Sequence, residues 1–258
     1  MGVDSVEGAA TLAGAFRAAG RTLDAMLKID TGLHRVGVLP ERALETARRL
    51  SDLPGLRLRG IFTHAGHGYG EETPDGVAEV ARHEGRTMAA VAEELRGAGI
   101  GVEEVSVGST PTAREAMAQP GVTECRPGNY VYHDGSQVAL GTCTPADCAM
   151  TVLATVVSVP AADRAVVDAG SKTLSTDPLR PHANGFGQIG GRRSRIQRLS
   201  EEHGVIVVEA GETFRVGERV RILPNHACVV SNLHDRVWGV RQDAVEAELR
   251  VAARGRVE

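Results

Sequence analysis

The chain has 258 residues, 42% of them apolar and 24% charged, with a formal net charge of −4. That length supports one large or two smaller cored domains, and the interspersed acids and bases exclude a basic footprint for nucleic acid or an anionic membrane surface. No window approaches the roughly 18 consecutive apolar residues of a membrane span, and the first residues form neither a basic nor an apolar targeting segment, so the expectation is a cytoplasmic protein.

Residues 25–30 read as a strand ending in Thr31-Gly32. A helix is expected over 41–52, with Ala43, Leu44, Ala47 and Leu50 on one face. Residues 56–64 read as the next strand. Thr73-Pro74 then opens a helix, Thr as N-cap and Pro at the first helical position. It runs to Gly97, with Val77, Val80, Met88, Val91 and Leu95 on its buried side. A strand over 105–107, a short helix over 112–119 and a strand over 125–131 complete a strand–helix alternation that argues for parallel βα units. After Gly141 helical periodicity fades and valine-rich alternation takes over. Strands are expected over 148–159, 164–168, 204–209, 214–223, 227–233 and 236–241. The domains are accordingly placed at 1–140 and 141–258.

Three strand ends in the first domain are unusually polar. Lys28 to Gly37 includes Asp30, His34 and Arg35; Thr63 to Gly70 includes His64, His67 and Tyr69; Gly108-Ser109-Thr110-Pro111-Thr112 opens a helix. Free N–H groups at a helix start suit an anion, although the same sequence also serves as an ordinary N-cap. At a fourth strand end, Gly128 and Asn129 offer a backbone N–H and an amide, or a tight turn. Near the C-terminus, His226 and Cys228 sit two apart in a segment that reads as strand, which places an imidazole and a thiolate on one face. Nitrogen and sulfur donors suit zinc, and two protein ligands leave positions open for water or substrate. A buried cysteine beside a capping histidine is the simpler local reading. Cys125, Cys143, Cys148 and Cys228 lack paired C-x-x-C spacing and are expected as free thiols.

Taken in chain order, K-I-D-T-G-x-x-R-x-G from Lys28, T-H-A-G-H-x-Y from Thr63, G-S-T-P-T from Gly108 and R-P-G-x-Y from Arg126 resemble the barrel of fold-type-III pyridoxal-phosphate enzymes, the alanine racemase-like group. Residues 168–175, 199–204 and 224–228 narrow the likeness to the D-serine dehydratase and D-threonine aldolase family. The resemblance covers essentially the whole chain. It implies an α/β protein, with part of a (β/α)8 TIM-type barrel over 1–140 and a mostly β domain with a metal site over 141–258.

By that resemblance, Gly108, Ser109 and Thr110 hold the phosphate of pyridoxal 5'-phosphate, with Gly128 and Asn129 completing the cradle. Arg35 approaches the ring hydroxyl of the cofactor and Tyr69 shares its pocket. His226 and Cys228 bind a divalent metal, zinc with manganese as the alternative, acting as a Lewis acid on a substrate β-hydroxyl. The implied activity is a lyase acting on β-hydroxy D-amino acids, by dehydration or aldol cleavage, in a homodimer that binds neither nucleic acid nor membrane. Two departures stand out. Phe62 replaces a tyrosine found in some dehydratases, and His-x-Cys contrasts with the His-x-Asp of some aldolases. A third is an absence: the family's Schiff-base segment, resembling R-P-H-x-K-T-H-K, does not occur, and neither Lys28 nor Lys172 replaces its lysine. The expectation is therefore an N-terminally truncated chain, inactive alone. A racemase of the same fold or a non-catalytic cofactor- or metal-binding protein are the alternatives.

Overall fold

Short apolar strands separated by helices pair in parallel through the first half of the chain. In this computed structural model, which describes residues 1–180 and 184–256, the first elements are β1 (Gly2–Val3), α1 (Val6–Ala18), β2 (Leu23–Lys28), α2 (Ala43–Ser51), β3 (Leu56–Phe62), α3 (Pro74–Gly97), β4 (Glu104–Val107), α4 (Ala113–Met117) and β5 (Glu124–Cys125). The five strands form one sheet in sequential order, each neighbouring pair parallel. This is the βα arrangement that the alternation of apolar runs implies. The sheet is open, with β1 and β5 at its edges.

α3 begins as its sequence dictates. Thr73 is the N-cap, its hydroxyl accepting from the Gly76 N–H at 3.1 Å, and Pro74 follows. Its inner face carries Val77, Ala81, Glu84, Met88, Val91 and Leu95, a helical repeat that includes one acid. That face packs with Leu23, Leu27, Ile29, Ile61, Val105 and Val107 of the sheet in one core, where each fully buried Leu or Ile contributes about 1.5–3 kcal/mol. Gly60 lets β3 and β4 approach, since a Cβ there would lie 2.0 Å from the Glu104 carbonyl oxygen. α1, which residue periodicity does not announce, is capped by the Ser5 hydroxyl accepting from the Gly8 N–H at 3.2 Å and buries only Ala9 and Ala13.

The chain divides into two compact units, Met1–Gly128 and Asn129–Glu258. The second contains α5 (Gly135–Ala139), β6 (Val152–Ala161), β7 (Arg164–Val167), α6 (Ser171–Leu174), β8 (Gly187–Ile189), β9 (Arg195–Leu199), β10 (Gly204–Val207), β11 (Arg219–Pro224), α7 (Ala227–Leu233), β12 (Arg236–Arg241) and β13 (Ala244–Arg250). Six strands close into an antiparallel barrel in the order β10-β7-β6-β11-β8-β9. Closure removes the open edges an antiparallel sheet otherwise exposes. Val156, Val167, Ile189, Ile196, Ile206 and Ile222 fill its interior. β12 and β13 form a separate hairpin. Its two-residue turn, Gln242-Asp243, has positive φ at both positions, as the twist of such a hairpin requires.

Three expected elements differ. Residues 227–233 form helix α7, because the Asp134 carboxylate accepts from the Ala227 N–H at 2.9 Å and starts a helix among β-branched residues. The strand expected over 125–131 ends at Cys125 and gives way to a 3-10 turn, Asn129–Val131. The segment 214–223 is extended only from Arg219, where pairing with β6 and β8 begins.

Candidate active site

In the first unit the polar strand ends are stitched by short-range turns. After β2, the Asp30 carboxylate accepts from the Gly32 and His34 N–H groups, each at 3.0 Å, and meets His34 Nδ1 at 3.1 Å. Burial opposes ionisation of Asp30, yet these donors hold its carboxyl below the usual range. The turn leads into Arg35, which is exposed. After β3, the Thr63 hydroxyl donates to the Ile29 carbonyl at 2.8 Å, so the Thr31 hydroxyl, 2.9 Å away, must be the donor of that pair. The Gly108 backbone lies close enough to act on the His64 ring, which brings the second polar strand end beside the third. Tyr69 is half-buried in the 3-10 turn Gly66–Gly70.

The residue that organises these loops is Glu84, on the buried face of α3. Its Oε1 accepts from the Ala65 N–H at 3.2 Å and the Gly108 N–H at 3.0 Å, and its Oε2 accepts from the Thr112 hydroxyl at 3.1 Å. Burial pushes its carboxyl up. The Ser109 and Thr112 hydroxyls lie 3.0 Å apart, and Ser109, Thr110 and Thr112 are all buried. Gly108 has φ +147, and a Cβ there would lie 2.8 Å from the Arg126 backbone nitrogen. Only glycine permits that approach.

Positive charge gathers beside this loop system. Lys28 and Arg126 both lie against the Phe62 ring, at 4.6 Å and 5.2 Å from its centroid. Phe62 thus acts as a platform for two cations. Arg126 Nε also donates to the Ser106 hydroxyl at 2.7 Å and its Nη2 to the Thr63 carbonyl. Burial first, then the charges of Arg126 and Arg35, lower the Lys28 pKa to about 8. The same sequence of causes, burial followed by Lys28, Arg35 and Arg126, keeps His64 below its usual value. Glu84 and Asp30 oppose the shift on Lys28 without cancelling it. Lys172 is different: its ammonium is exposed and paired with Glu201 and Glu202 at 2.9 Å and 2.8 Å.

The second unit holds the histidine–cysteine pair. His226 is the N-cap of α7, and its side chain makes no capping bond. The pair is therefore not presented by a strand, as alternation suggested; β11 ends at Pro224 and Cys228 lies in the first turn of the helix. The two side chains are still close enough for Cys228 to act on the imidazole. His226 Nδ1 lies 2.5 Å from Asp177 Oδ2. Cys228 is the leading influence, and with Asp177 it outweighs burial, so that the imidazole is raised to about 9. Cys228 is exposed. Among the described residues, no cluster of three or more His, Cys, Asp or Glu side chains is arranged to hold a metal ion. A metal on His226 and Cys228 would keep its other positions for water or substrate.

The frame under this corner is Asp134, 1% exposed. Besides the Ala227 N–H, it accepts from the Gln137 N–H at 3.0 Å and from Asn129 Nδ2 at 2.5 Å. Asn129 Nδ2 also approaches Cys228 Sγ at 3.8 Å, and Asn129 Oδ1 is buried with no hydrogen-bond partner among the described residues. The structure thus groups Asn129 with Cys228 in the second unit, while Gly108, Ser109, Thr110 and Gly128 belong to the first. Glu84, Asp134 and Asp177 are neighbours of these groups that motif reading passes over, whereas Arg126 opens the R-P-G-x-Y motif. For Glu84 the signal exists, since it shares the helical face of Val77, Met88 and Val91.

Comparison with known proteins divides the chain in a similar way. The family model "Alanine racemase, N-terminal domain" matches residues 1–135, and "Putative serine dehydratase domain" matches 149–240. The D-threo-3-hydroxyaspartate dehydratase of Delftia sp. (strain HT23) is 38% identical over 247 residues, 88% of this chain and 64% of that protein. The D-threonine aldolase of Arthrobacter sp is 33% identical over 257 residues, 98% of this chain and 66% of that protein. The chain thus spans just under two thirds of these relatives' length. A solved structure of that dehydratase, a cysteine-to-alanine variant in the metal-free form, superposes with a TM-score of 0.89 at 35% identity, covering 97% of this chain and 72% of that one.

Proposed function

The chain belongs to the alanine racemase-like family with a serine dehydratase-type second domain, and from that premise we propose that it carries the chemistry of a pyridoxal-phosphate-dependent, metal-assisted lyase acting on β-hydroxy D-amino acids. The observation that carries this reading is the pairing of His226 with Cys228 at an open corner of the second unit. A racemase needs no Lewis acid on a β-hydroxyl. A dehydratase or aldolase gains from one, because the metal stabilises negative charge on the hydroxyl oxygen. The dehydratase and aldolase relatives favour the same class. The five parallel strands of the first unit fit, in this proposal, as part of a (β/α)8 barrel.

The cofactor, when bound, supplies an electron sink for the α-carbon. The residues present fit it. Lys28, Arg35 and Arg126 would supply positive charge to it, and we assign the phosphate to the Gly108–Ser109–Thr110 loop with Gly128. Arg35 is placed at the ring hydroxyl and Tyr69 in the same pocket. Glu84 keeps the loops in shape by holding the Ala65 and Gly108 N–H groups inward. His226 and Cys228 would hold zinc, or manganese, which would supply Lewis acidity at the substrate hydroxyl.

Equilibrium dialysis of the full chain with zinc, and titration with pyridoxal phosphate, test the two halves. One zinc per chain, lost in His226→Ala and Cys228→Ala, is expected. So is cofactor binding that weakens in Lys28→Met. Unchanged zinc content in both metal-site variants would refute the metal assignment. The chain alone is expected to turn over no substrate, as the missing Schiff-base segment implies; ammonia with a 2-oxo acid would report dehydration and glycine with an aldehyde aldol cleavage, and either would overturn that expectation. Racemisation alone would favour the related racemase.

A further inference from the structure

The imidazole of His226 is held from behind. Its Nδ1 lies 2.5 Å from Asp177 Oδ2, across 49 residues of chain. Asp177 reaches that position through a constrained segment. Just after α6, Ser175 adopts φ 62 and ψ 179, a region that side-chain-bearing residues rarely occupy. The Ser175 hydroxyl accepts from the Asp177 N–H at 3.2 Å. From the other side, Asn225, 3% exposed, donates its Nδ2 to the Asp177 carbonyl at 3.1 Å and to the Gly185 carbonyl at 2.8 Å. A strained residue before it and a buried amide beside it thus fix Asp177, and Asn225 immediately precedes the histidine that Asp177 meets.

We propose that Asp177 is the positioning residue of the metal site, a carboxylate that fixes the ring of His226 so that Nε2 is the ligand atom. This rests on the metal reading given above and extends it to a residue that does not itself bind the metal. The chemistry is direct. With Nδ1–H donated to a carboxylate, the neutral ring has its lone pair on Nε2 and a fixed orientation, and the carboxylate raises the basicity of that nitrogen. The His226 side chain makes no capping bond to α7, so among the described residues its hydrogen bond to Asp177 sets its direction. The ion pair is part-exposed, and as a salt bridge alone it adds little to stability.

The test uses the full chain and zinc, in competition with a chelator of known affinity. Asp177→Asn is expected to weaken zinc binding about 10- to 100-fold, the usual cost of losing such a partner, and Asp177→Glu to recover most of it. At saturating cobalt(II), Asp177→Asn keeps the thiolate-to-metal absorption of the wild type, whereas Cys228→Ala loses it; a variant damaged only in its fold would not separate affinity from spectrum in this way. Zinc affinity in Asp177→Asn within about threefold of wild type, with His226→Ala inactive in binding, overturns the role of Asp177 while leaving the metal site standing. Wild-type affinity in both His226→Ala and Cys228→Ala overturns the metal site itself. Nitrogen NMR of the zinc-loaded, histidine-labelled wild type needs no variant: zinc on Nε2 with a proton on Nδ1 supports the proposal, and zinc on Nδ1 refutes it.

Discussion

Replacing Glu84 with alanine removes one acceptor that three donors share. The Ala65 and Gly108 N–H groups lose their partner, 3.2 Å and 3.0 Å away, and both are buried. The Thr112 hydroxyl can turn instead to Ser109, whose hydroxyl is 3.0 Å away. Two stranded backbone donors at about 1–3 kcal/mol each give a loss of about 2–6 kcal/mol. Glutamine behaves differently. Its carbonyl oxygen can take the place of Oε1 and keep both N–H groups, and its NH2 can donate to the Thr112 hydroxyl, so Glu84→Gln is expected to cost less than about 1 kcal/mol. The pH dependence sharpens the contrast. Because burial raises the folded-state pKa of Glu84 above its ordinary 4.5, the stability it contributes is fully present below that ordinary value and is lost as pH rises through the folded value. Glu84→Gln lacks that loss and gains on the wild type over the same window. Urea denaturation of the three proteins between about pH 4 and pH 7 measures both effects. Glu84→Ala within about 1 kcal/mol of wild type would refute the reasoning, and so would a glutamine variant as unstable as the alanine one.

Other substitutions probe separate features. A thiol alkylating reagent should modify Cys228 first, since it is exposed whereas burial pushes Cys148 up to about 12; added zinc should slow that reaction, and mass spectrometry of the peptides decides it. Lys28 has a folded-state pKa lowered to about 8, so its contribution to stability is present above the ordinary value of 10.5 and is lost as pH falls through about 8. Lys28→Met is therefore expected to melt higher than wild type at neutral pH while binding pyridoxal phosphate more weakly, and a lower melting temperature would contradict this. Gly108→Ala forces a Cβ to within 2.8 Å of the Arg126 backbone and should cost several kcal/mol, read as a lowered melting temperature.

Where local pattern decides structure, the sequence is a good guide. Thr73-Pro74 and the repeat of apolar residues from Val77 to Leu95 specify α3 to its ends. α1 is hard to see because its buried face is only Ala9 and Ala13, too small to create contrast. α7 defeats pattern reading for another reason: Cys228, Val229 and Val230 favour a strand, and what starts the helix is a carboxylate 93 residues away. The candidate site divides in the same manner. His226 and Cys228 are recognisable as a donor pair, but their meeting through a helix start, and the hold of Asp177 on the ring, depend on chain segments that only the fold brings together. Asp177 stands in a polar stretch, Ser175-Thr176-Asp177-Pro178, that looks like any surface loop.

The β12–β13 hairpin is held to a different standard from the closed barrel. Every residue of β13 is exposed, and so are Trp238 and Val240 on its partner. A two-stranded ribbon with so little buried surface is marginal in water, and its opening free energy lies far below that of the six-stranded barrel. Amide exchange should therefore reach the hairpin within the early time points, while Val156 and Ile206 stay protected, and limited proteolysis should cut near Gln242 before the barrel yields. Because Val237 packs against the core that includes Ala227 and Val230 of α7, fraying of these last strands reaches the edge of the corner that holds His226 and Cys228.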